Sequence, residues 1–384
     1  MKISVAVHGR FHGFDLASEL FRQGLLDRLY TTYPAGIARR FLPAGIDLHT
    51  RPLLEGIRRL HEGLRLPGRS DAIIARQFAR WVAGRLPASG DLLVGWSSAT
   101  LEAIAPAKAR GMKVVLERGS THIGHQQDLL RDAFAEWGEE HIGAQAEIVE
   151  RELAEYDQAD AIAVPTGIAA ESFIARGIEP SRLIVNPYGV SLADFAPPPG
   201  GRAVNDRPRI LFAGRLGIRK GLPWLLEAFA PFAKAAELRL AGAEEPETAS
   251  LLARLPMQGV TRLGALPRAA LVAEMQAADL FCLPSLEEGL PLALLQALAT
   301  GLPAIASRET GAETVFAGGD AGRIVPARDR AALTAAIGAM ISDRAALVQQ
   351  GETARAAVSA GFSLADYGAR AVDGYRRLRG GEAR

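Results

Sequence analysis

The sequence predicts an α/β protein built as two doubly wound domains in tandem, with a ligand cleft between them. Three observations carry this. Short apolar, often β-branched runs alternate with helical patterns, as expected of a parallel sheet covered on both faces. A proline- and glycine-dense stretch, APPPGGRAVNDRP at 196–208, interrupts the alternation and reads as a linker. The same alternation then restarts. At 384 residues, 48% of them apolar, the chain has material for two cores.

Before the linker, strands are expected at 2–7, 92–96, 113–117, 160–164 and 182–186, with helices such as 146–157 and 167–176 among them. After it, RILFAG (209–214), ELRLAG (237–242), DLFCLPS (279–285), LPAIAS (302–307) and AGRIVP (321–326) read as strands. Helices fall near 221–234, 268–277, 291–300 and 329–342, and the final run FSLADYGARAVDGYRRLRG reads as one amphipathic helix. The division is therefore a first domain at 1–195, a linker at 196–208, a second domain at 209–362 and a terminal helix at 363–384. Doubly wound sheets bind ligands beyond the carboxyl ends of their strands, so a cleft between two of them is the expected site.

The net charge of +1 gives no nucleic-acid footprint. Its distribution is uneven. Residues 1–85 hold 14 Lys/Arg against 7 Asp/Glu, and residues 86–190 hold 8 against 16. A basic front end can meet anionic lipid or an anionic acceptor, and a solvated arginine-rich surface fits as well. Residues 53–66 place Leu53, Leu54, Ile57, Leu60, Leu64 and Leu66 near one helical stripe flanked by Arg58, Arg59 and Arg65. That stripe either packs on the domain, the commoner case, or rests on a membrane carrying a lipid-linked acceptor. The single cysteine, Cys282, sits in an apolar run and reads as a buried structural residue. The opening MKISVAVHGR turns polar too soon for a signal peptide, and no run approaches the ~20 apolar residues of a membrane span. The expected place is the cytoplasm, with peripheral contact at the inner membrane face as the alternative.

Chemistry concentrates in the second half. In ILFAGRLGIRKG (210–221) a strand ends at Gly214, and a loop carries Arg215, Gly217, Arg219, Lys220 and Gly221 before a helix opens at Leu222-Pro223. Glycines let backbone approach an anion, the helix start favours negative charge, and Arg and Lys grip phosphate oxygens. A solvated basic loop would look the same in isolation. In LPSLEEGLPLALLQALATGLPAIAS (283–307) a strand ends at Pro284, and a loop bears Glu287, Glu288, Gly289 and Leu290 before Pro291 opens a helix. The N–H groups within 289–292, where Pro291 has none, are then free for a hydroxyl-rich or anionic ligand. Glu288 as a mere helix cap is the alternative.

The spacing of these two elements resembles the family 4 retaining glycosyltransferases of the GT-B fold. A strand-Gly-Arg…Lys-Gly loop is followed about 70 residues later by P-S-x-x-E-G-x-P-x-x-x-x-Q-A and then G-L-P-A-I-A-S. VPTGIAAESFIARGI (164–178), NPYGVSLADF (186–195), GALPRAALVAEMQAADLFCLPS and the closing helix stand in the order this resemblance requires. It implies two Rossmann-like domains with the terminal helix crossing back to the first. It implies a nucleoside diphosphate sugar as donor substrate, with no cofactor. Arg215 and Lys220 would bind the diphosphate, and Glu288 would lie by the donor sugar. Gly289, Leu290 and Pro291 would contact sugar hydroxyls or phosphate, position 296 would reach the ribose, and Leu266 and Pro267 would flank the base. One departure matters: position 296 is Gln, not Glu, which costs roughly 1 kcal/mol of charge-assisted hydrogen bonding.

In the first half, strand 113–117 runs into ERGSTHIGHQ, which clusters Arg118, Ser120, Thr121, His122 and His125. The resemblance implies a histidine near the donor sugar here, so His122 is the first candidate for a catalytic role and Arg118 the second. The first loop, HGRFHGFDLASEL (8–20), carries His8, Arg10 and His12 with Gly9 and Gly13, and by resemblance this loop, Gly13 included, lies over the donor phosphates or contacts the acceptor. It lacks the G-x-G-x-x-G dinucleotide pattern. Trp96-Ser97-Ser98 either lines an acceptor pocket or plugs the core. The expected reaction is transfer of the sugar, with retention, to an acceptor hydroxyl on a glycan, a lipid-linked or a small molecule. No D-x-D triplet occurs, and no His/Cys cluster has zinc spacing, so no metal is expected. The rival readings are another GT-B enzyme, such as a sugar-nucleotide epimerase or phosphorylase, and a non-catalytic sugar-nucleotide-binding scaffold.

Overall fold

The structure, a computed structural model, describes residues 1–63, 71–202, 205–316 and 319–380. Two parallel sheets follow one another along the chain. The first contains β1 (Ile3–Val7), β2 (Leu26–Thr31), β3 (Leu48–Thr50), β4 (Leu92–Trp96), β5 (Lys113–Glu117), β6 (Ala161–Val164) and β7 (Leu183–Val185), in the order β3-β2-β1-β4-β5-β6-β7. The second contains β8 (Arg209–Ala213), β9 (Glu237–Ala241), β10 (Val260–Gly264), β11 (Leu280–Leu283), β12 (Ala304–Ser307) and β13 (Gly322–Val325), in the order β10-β9-β8-β11-β12-β13. The central strands β1, β4, β8 and β11 have apolar side chains out of water on both faces, which is why they read as unbroken apolar runs.

Strand order reverses between β1 and β4 in the first sheet and between β8 and β11 in the second. A crevice opens at such a switch point because successive helices leave on opposite faces. The two motif loops of the second half, 214–221 and 284–291, are the loops that follow β8 and β11. They therefore flank one switch point. The loops after β1 and β4 flank the other.

The sequence reading named ten strands and omitted β2, β3 and β10. β2 begins with the charged pair Asp27-Arg28, and β3 has only three residues. β10 lies at the sheet edge with most of its residues exposed, so none of the three shows a long apolar run. Cys282 is fully buried in β11.

The last helix, Leu364–Gly380, crosses back and packs on the helix Gly13–Arg22 of the first domain. The approach is close: a Cβ at Gly368 would stand 2.4 Å from the Glu19 Cβ. Tyr367 and Tyr375 of this helix are buried in the first domain's core region. No single helix among the described residues is long and apolar enough to cross a membrane.

Candidate functional site

The loop after β8 is shaped by glycines at points of contact. Gly221 has φ +73°, and a Cβ there would stand 2.0 Å from the carbonyl oxygen of Pro284, at the end of β11. Only glycine fits that approach. It brings the two motif loops side by side, and Pro223 then enters the first turn of the helix Leu222–Phe229.

The cations in this loop are already held by carboxylates. The Lys220 ammonium bonds the Glu288 carboxylate, and burial lowers the lysine's pKa against that attraction. Arg219 donates to the Glu287 carbonyl oxygen at 3.0 Å, and it stands 3.5 Å from both the Glu287 and Glu288 carboxylates. Arg215 is forked onto Glu245, with Nη2 at 3.0 Å from Oε2. Beyond them, the N–H groups of Gly289 and Leu290 have no hydrogen-bond partner among the described residues. Pro291 caps the helix Leu292–Ala299. Gln296, on that helix, is half-buried, and its side chain has no hydrogen-bond partner among the described residues.

Glu287 joins the two domains. Its buried carboxylate accepts from the Thr121 N–H at 3.0 Å, the Thr121 hydroxyl at 2.8 Å and Gln126 Nε2 at 2.8 Å, and also from the Ser120 hydroxyl. Burial alone would raise its pKa, but Arg219 and these donors outweigh burial and hold it below the ordinary carboxylate value. Nearby, Thr166 of the first domain donates to the Gly289 carbonyl oxygen at 3.0 Å. A Cβ on Gly289 would stand 2.4 Å from the Gly119 carbonyl oxygen, so the domains meet backbone to backbone here.

One cavity opens at this junction and a second adjoins it within the first domain. One, about 450 Å³, is lined by Arg215, Gly217, Arg219 and Lys220 of the second domain and by Leu130, Phe134, His141 and Ile142 of the first. Glu139, Glu140, Glu245 and Glu247 also line it. The other, about 670 Å³, lies at the carboxyl ends of β1, β2 and β4, with His8, Arg10, Phe11, Tyr33, Glu55 and Ser98 on its wall. Leu130, His141 and Ile142 line both. The cavities thus meet at the segment joining the helices Ile123–Glu136 and Ala146–Gln158.

Other candidate residues stand elsewhere. The His122 ring packs on Tyr156 and Phe173, with centroids at 5.1 and 5.2 Å, and its Nδ1 caps a helix by accepting from the Gly124 N–H. Burial lowers its pKa to about 4, so the ring is neutral at pH 7. It lines neither large cavity. Arg118 is buried on Glu152 at 3.1 Å and on the Gln126 amide oxygen at 3.0 Å, and so orients the side chain that donates to Glu287. Gly13 lies in a first helical turn, where a Cβ would stand 2.9 Å from Val7; Gly9, with φ +104°, is the glycine on the cavity wall. Trp96 is buried beside His12, and Ser98 lines the larger cavity. Leu266 packs on the second core, and the exposed Pro267 caps a helix; neither lines the two cavities.

The sequence reading missed Gln126 and Glu245 and gave Glu287 no role. Glu245 follows a strand in AGAEEPE, a stretch that reads as an ordinary acidic turn, and Gln126 stands within a polar helix start.

Two doubly wound domains thus carry a cavity at each switch point, one lined by cations and carboxylates together and the other by mixed polar and apolar groups. Residues 207–343, most of the second domain, match the family described as Glycosyl transferases group 1. The chain is 30% identical over 226 residues to MMP alpha-(1->4)-mannosyltransferase of Mycolicibacterium hassiacum, a match covering 57% of this chain and 54% of that protein. It is 31% identical over 224 residues to D-inositol 3-phosphate glycosyltransferase of Pseudarthrobacter chlorophenolicus, covering 53% of each. The chain thus spans about half the length of the curated relatives it matches. Among solved structures, sucrose-phosphate synthase of Thermosynechococcus elongatus superposes with a TM-score of 0.67 at 19% identity, covering 99% of this chain and 100% of that one. Anabaena HepE in complex with UDP and glucose gives 0.67 at 15% identity, covering 97% and 98%. At these identities the likeness establishes the GT-B fold.

Proposed function

We propose that the protein is a glycosyltransferase that moves a sugar from a nucleoside diphosphate sugar to an acceptor hydroxyl, with retention and without a metal ion. The observation that carries this is the meeting of the two cavities at Leu130, His141 and Ile142. One holds Arg215, Arg219 and Lys220, a cation group that suits a diphosphate, among the carboxylates Glu139, Glu140, Glu245 and Glu247; the other, larger and mixed polar and apolar in its lining, suits an acceptor. That HepE is recorded with UDP and glucose supports a nucleotide sugar as the donor class.

The difficult step is departure of the diphosphate. Lys220 and Arg219 sit beside the unpaired N–H groups of Gly289 and Leu290, and together they would stabilise the leaving charge. These protein cations would stand where a metal clamp acts in other glycosyltransferases. Glu288, held by Lys220, faces the donor sugar. Arg118 positions Gln126 and, through it, Glu287. His122 enters only by fixing the start of the helix Ile123–Glu136.

Lys220→Ala tests the reading. Turnover of a nucleotide sugar, identified by screening UDP-, GDP- and ADP-sugars for thermal stabilisation, is expected to fall at least a hundredfold in a variant whose circular-dichroism spectrum is still that of the folded protein, and to survive EDTA in the unmutated protein. Unchanged turnover in the variant would reject the phosphate role.

A further inference from the structure

The helix Pro52–Gly63 does not bury the stripe that the sequence shows. Leu54 and Glu55 face inward, but Leu53, Ile57 and Leu60 are 65%, 44% and 59% exposed. Their i, i+4, i+7 spacing puts them on one line along the helix, with the exposed Pro52 and Gly56 beside them. A solvent-facing helix surface ordinarily carries charge, so an outward line of three large aliphatic side chains calls for a partner. Leu64 and Leu66 of the predicted stripe lie outside the described residues.

Two further features mark the same edge of the first sheet, where the loops after β1, β2 and β3 emerge. Phe11, Phe41 and Ile73 are exposed there, and Phe11 also forms the wall of the larger cavity. Arg39, Arg40 and Arg51 are exposed with no carboxylate partner among the described residues, and Arg59 projects beside the stripe while bonding Glu55. Of the acids described at this edge, Glu55 is buried and the exposed Asp71 stands at the cavity wall. The surface is therefore apolar, ringed by cations and continuous with a cavity mouth.

Charge complementarity identifies what covers it. An apolar line inserts among acyl chains while flanking arginines meet anionic headgroups. We propose that this edge docks on an anionic lipid bilayer and presents the mouth of the larger cavity to the headgroups. This deepens the glycosyltransferase reading, on which the naming of that cavity as the acceptor's rests, by placing the acceptor at a membrane surface.

The test is flotation with vesicles of equal parts phosphatidylglycerol and phosphatidylcholine, against phosphatidylcholine alone, using the full chain. Binding to the anionic vesicles, weakened in 0.5 M salt, is expected. Leu53→Ser/Ile57→Ser/Leu60→Ser, which changes only exposed side chains, should lower the bound fraction at least fivefold with the melting temperature kept. Arg40→Glu/Arg51→Glu should abolish the preference for anionic vesicles. Absence of binding by the unmutated protein, or full binding by the triple variant, would overturn the proposal. So would a dimer in solution that the triple variant converts to monomer, because a second copy would then cover the face. Flotation needs no donor, so nucleotide-sugar binding measured separately by calorimetry shows whether the transferase reading fails instead.

Discussion

The Glu287 carboxylate of the second domain accepts both the backbone N–H and the hydroxyl of Thr121 in the first domain, at 3.0 and 2.8 Å. This single buried acid collects donors from Ser120, Thr121 and Gln126 on one side and faces Arg219 on the other. It stands one residue from Glu288, so the contact that closes the domains and the carboxylate that holds Lys220 share a loop.

Glu287→Ala should remove the closure contact. Breaking a buried pair leaves the remaining charge uncompensated and typically costs 3–5 kcal/mol. Arg219 is partly solvated, so a loss of about 3 kcal/mol in denaturant unfolding is expected, together with a larger radius of gyration in small-angle scattering. A loss under about 1 kcal/mol with unchanged scattering would mean that other contacts hold the domains together.

The Arg215 guanidinium, proposed above to bind the diphosphate, is forked onto Glu245. The pair is largely exposed, with 57% of the arginine side chain accessible, so it is worth at most about 1 kcal/mol. Glu245→Gln should free the guanidinium and tighten nucleoside diphosphate binding up to about fivefold by calorimetry, with a steeper salt dependence. Weaker binding in the variant would show that Glu245 contacts the ligand itself.

The two-domain α/β architecture and both motif loops were legible because central strands of a covered parallel sheet are continuous apolar runs, as in ILFAG and LFCLP. Lys220 and Glu288 were legible because they sit in loops at strand ends. Their mutual bond, and the bond of Arg215 to Glu245, were not, since 68 and 30 residues separate the partners and no local pattern encodes such a meeting. The lone histidine at a strand end illustrates the limit most clearly. His122 has the residue type and loop position of a catalytic group, yet the N–H of Gly124 and the rings of Tyr156 and Phe173 draw it into the first domain. The exposed line of Leu53, Ile57 and Leu60 was visible as a stripe, but only the fold shows which way it faces.

Gln296 remains the departure from the resembled pattern that bears on affinity. It is half-buried on the helix that starts at the cation site, and its amide is unpartnered among the described residues. Gln296→Glu should restore a charge-assisted contact to ribose hydroxyls worth about 1 kcal/mol, or roughly fivefold in donor affinity. Calorimetry on the variant checks this, and a large loss of binding would show that position 296 does not face the ribose.

Glu117, at the end of β5, is buried beneath the returning terminal helix, where the Tyr375 hydroxyl stands 3.3 Å from its carboxyl group. Burial pushes its pKa up to about 8. In the unfolded chain the same acid ionises near 4.5. Between these values the unfolded state has lost the proton and the folded state keeps it, so this group makes stability fall as pH rises from about 4.5 to 8 and has no further effect above that. The half-buried His8 and His12, with pKa values lowered to about 4 and 3 by desolvation of their rings, act in the opposite sense, removing stability as pH falls below 6.5. Glu117→Gln preserves the shape and a hydrogen-bonding group for Tyr375 but cannot ionise. Its stability relative to the unmutated protein, by denaturant unfolding, should therefore improve by more than about 1 kcal/mol between pH 5 and pH 8, since each unit of separation between the two pKa values is worth about 1.4 kcal/mol. The histidine contribution is common to both proteins and cancels in this difference. A difference that stays constant across that range would mean that Glu117 is ionised in the folded protein and that the terminal helix is held against a charged, not a neutral, carboxyl group.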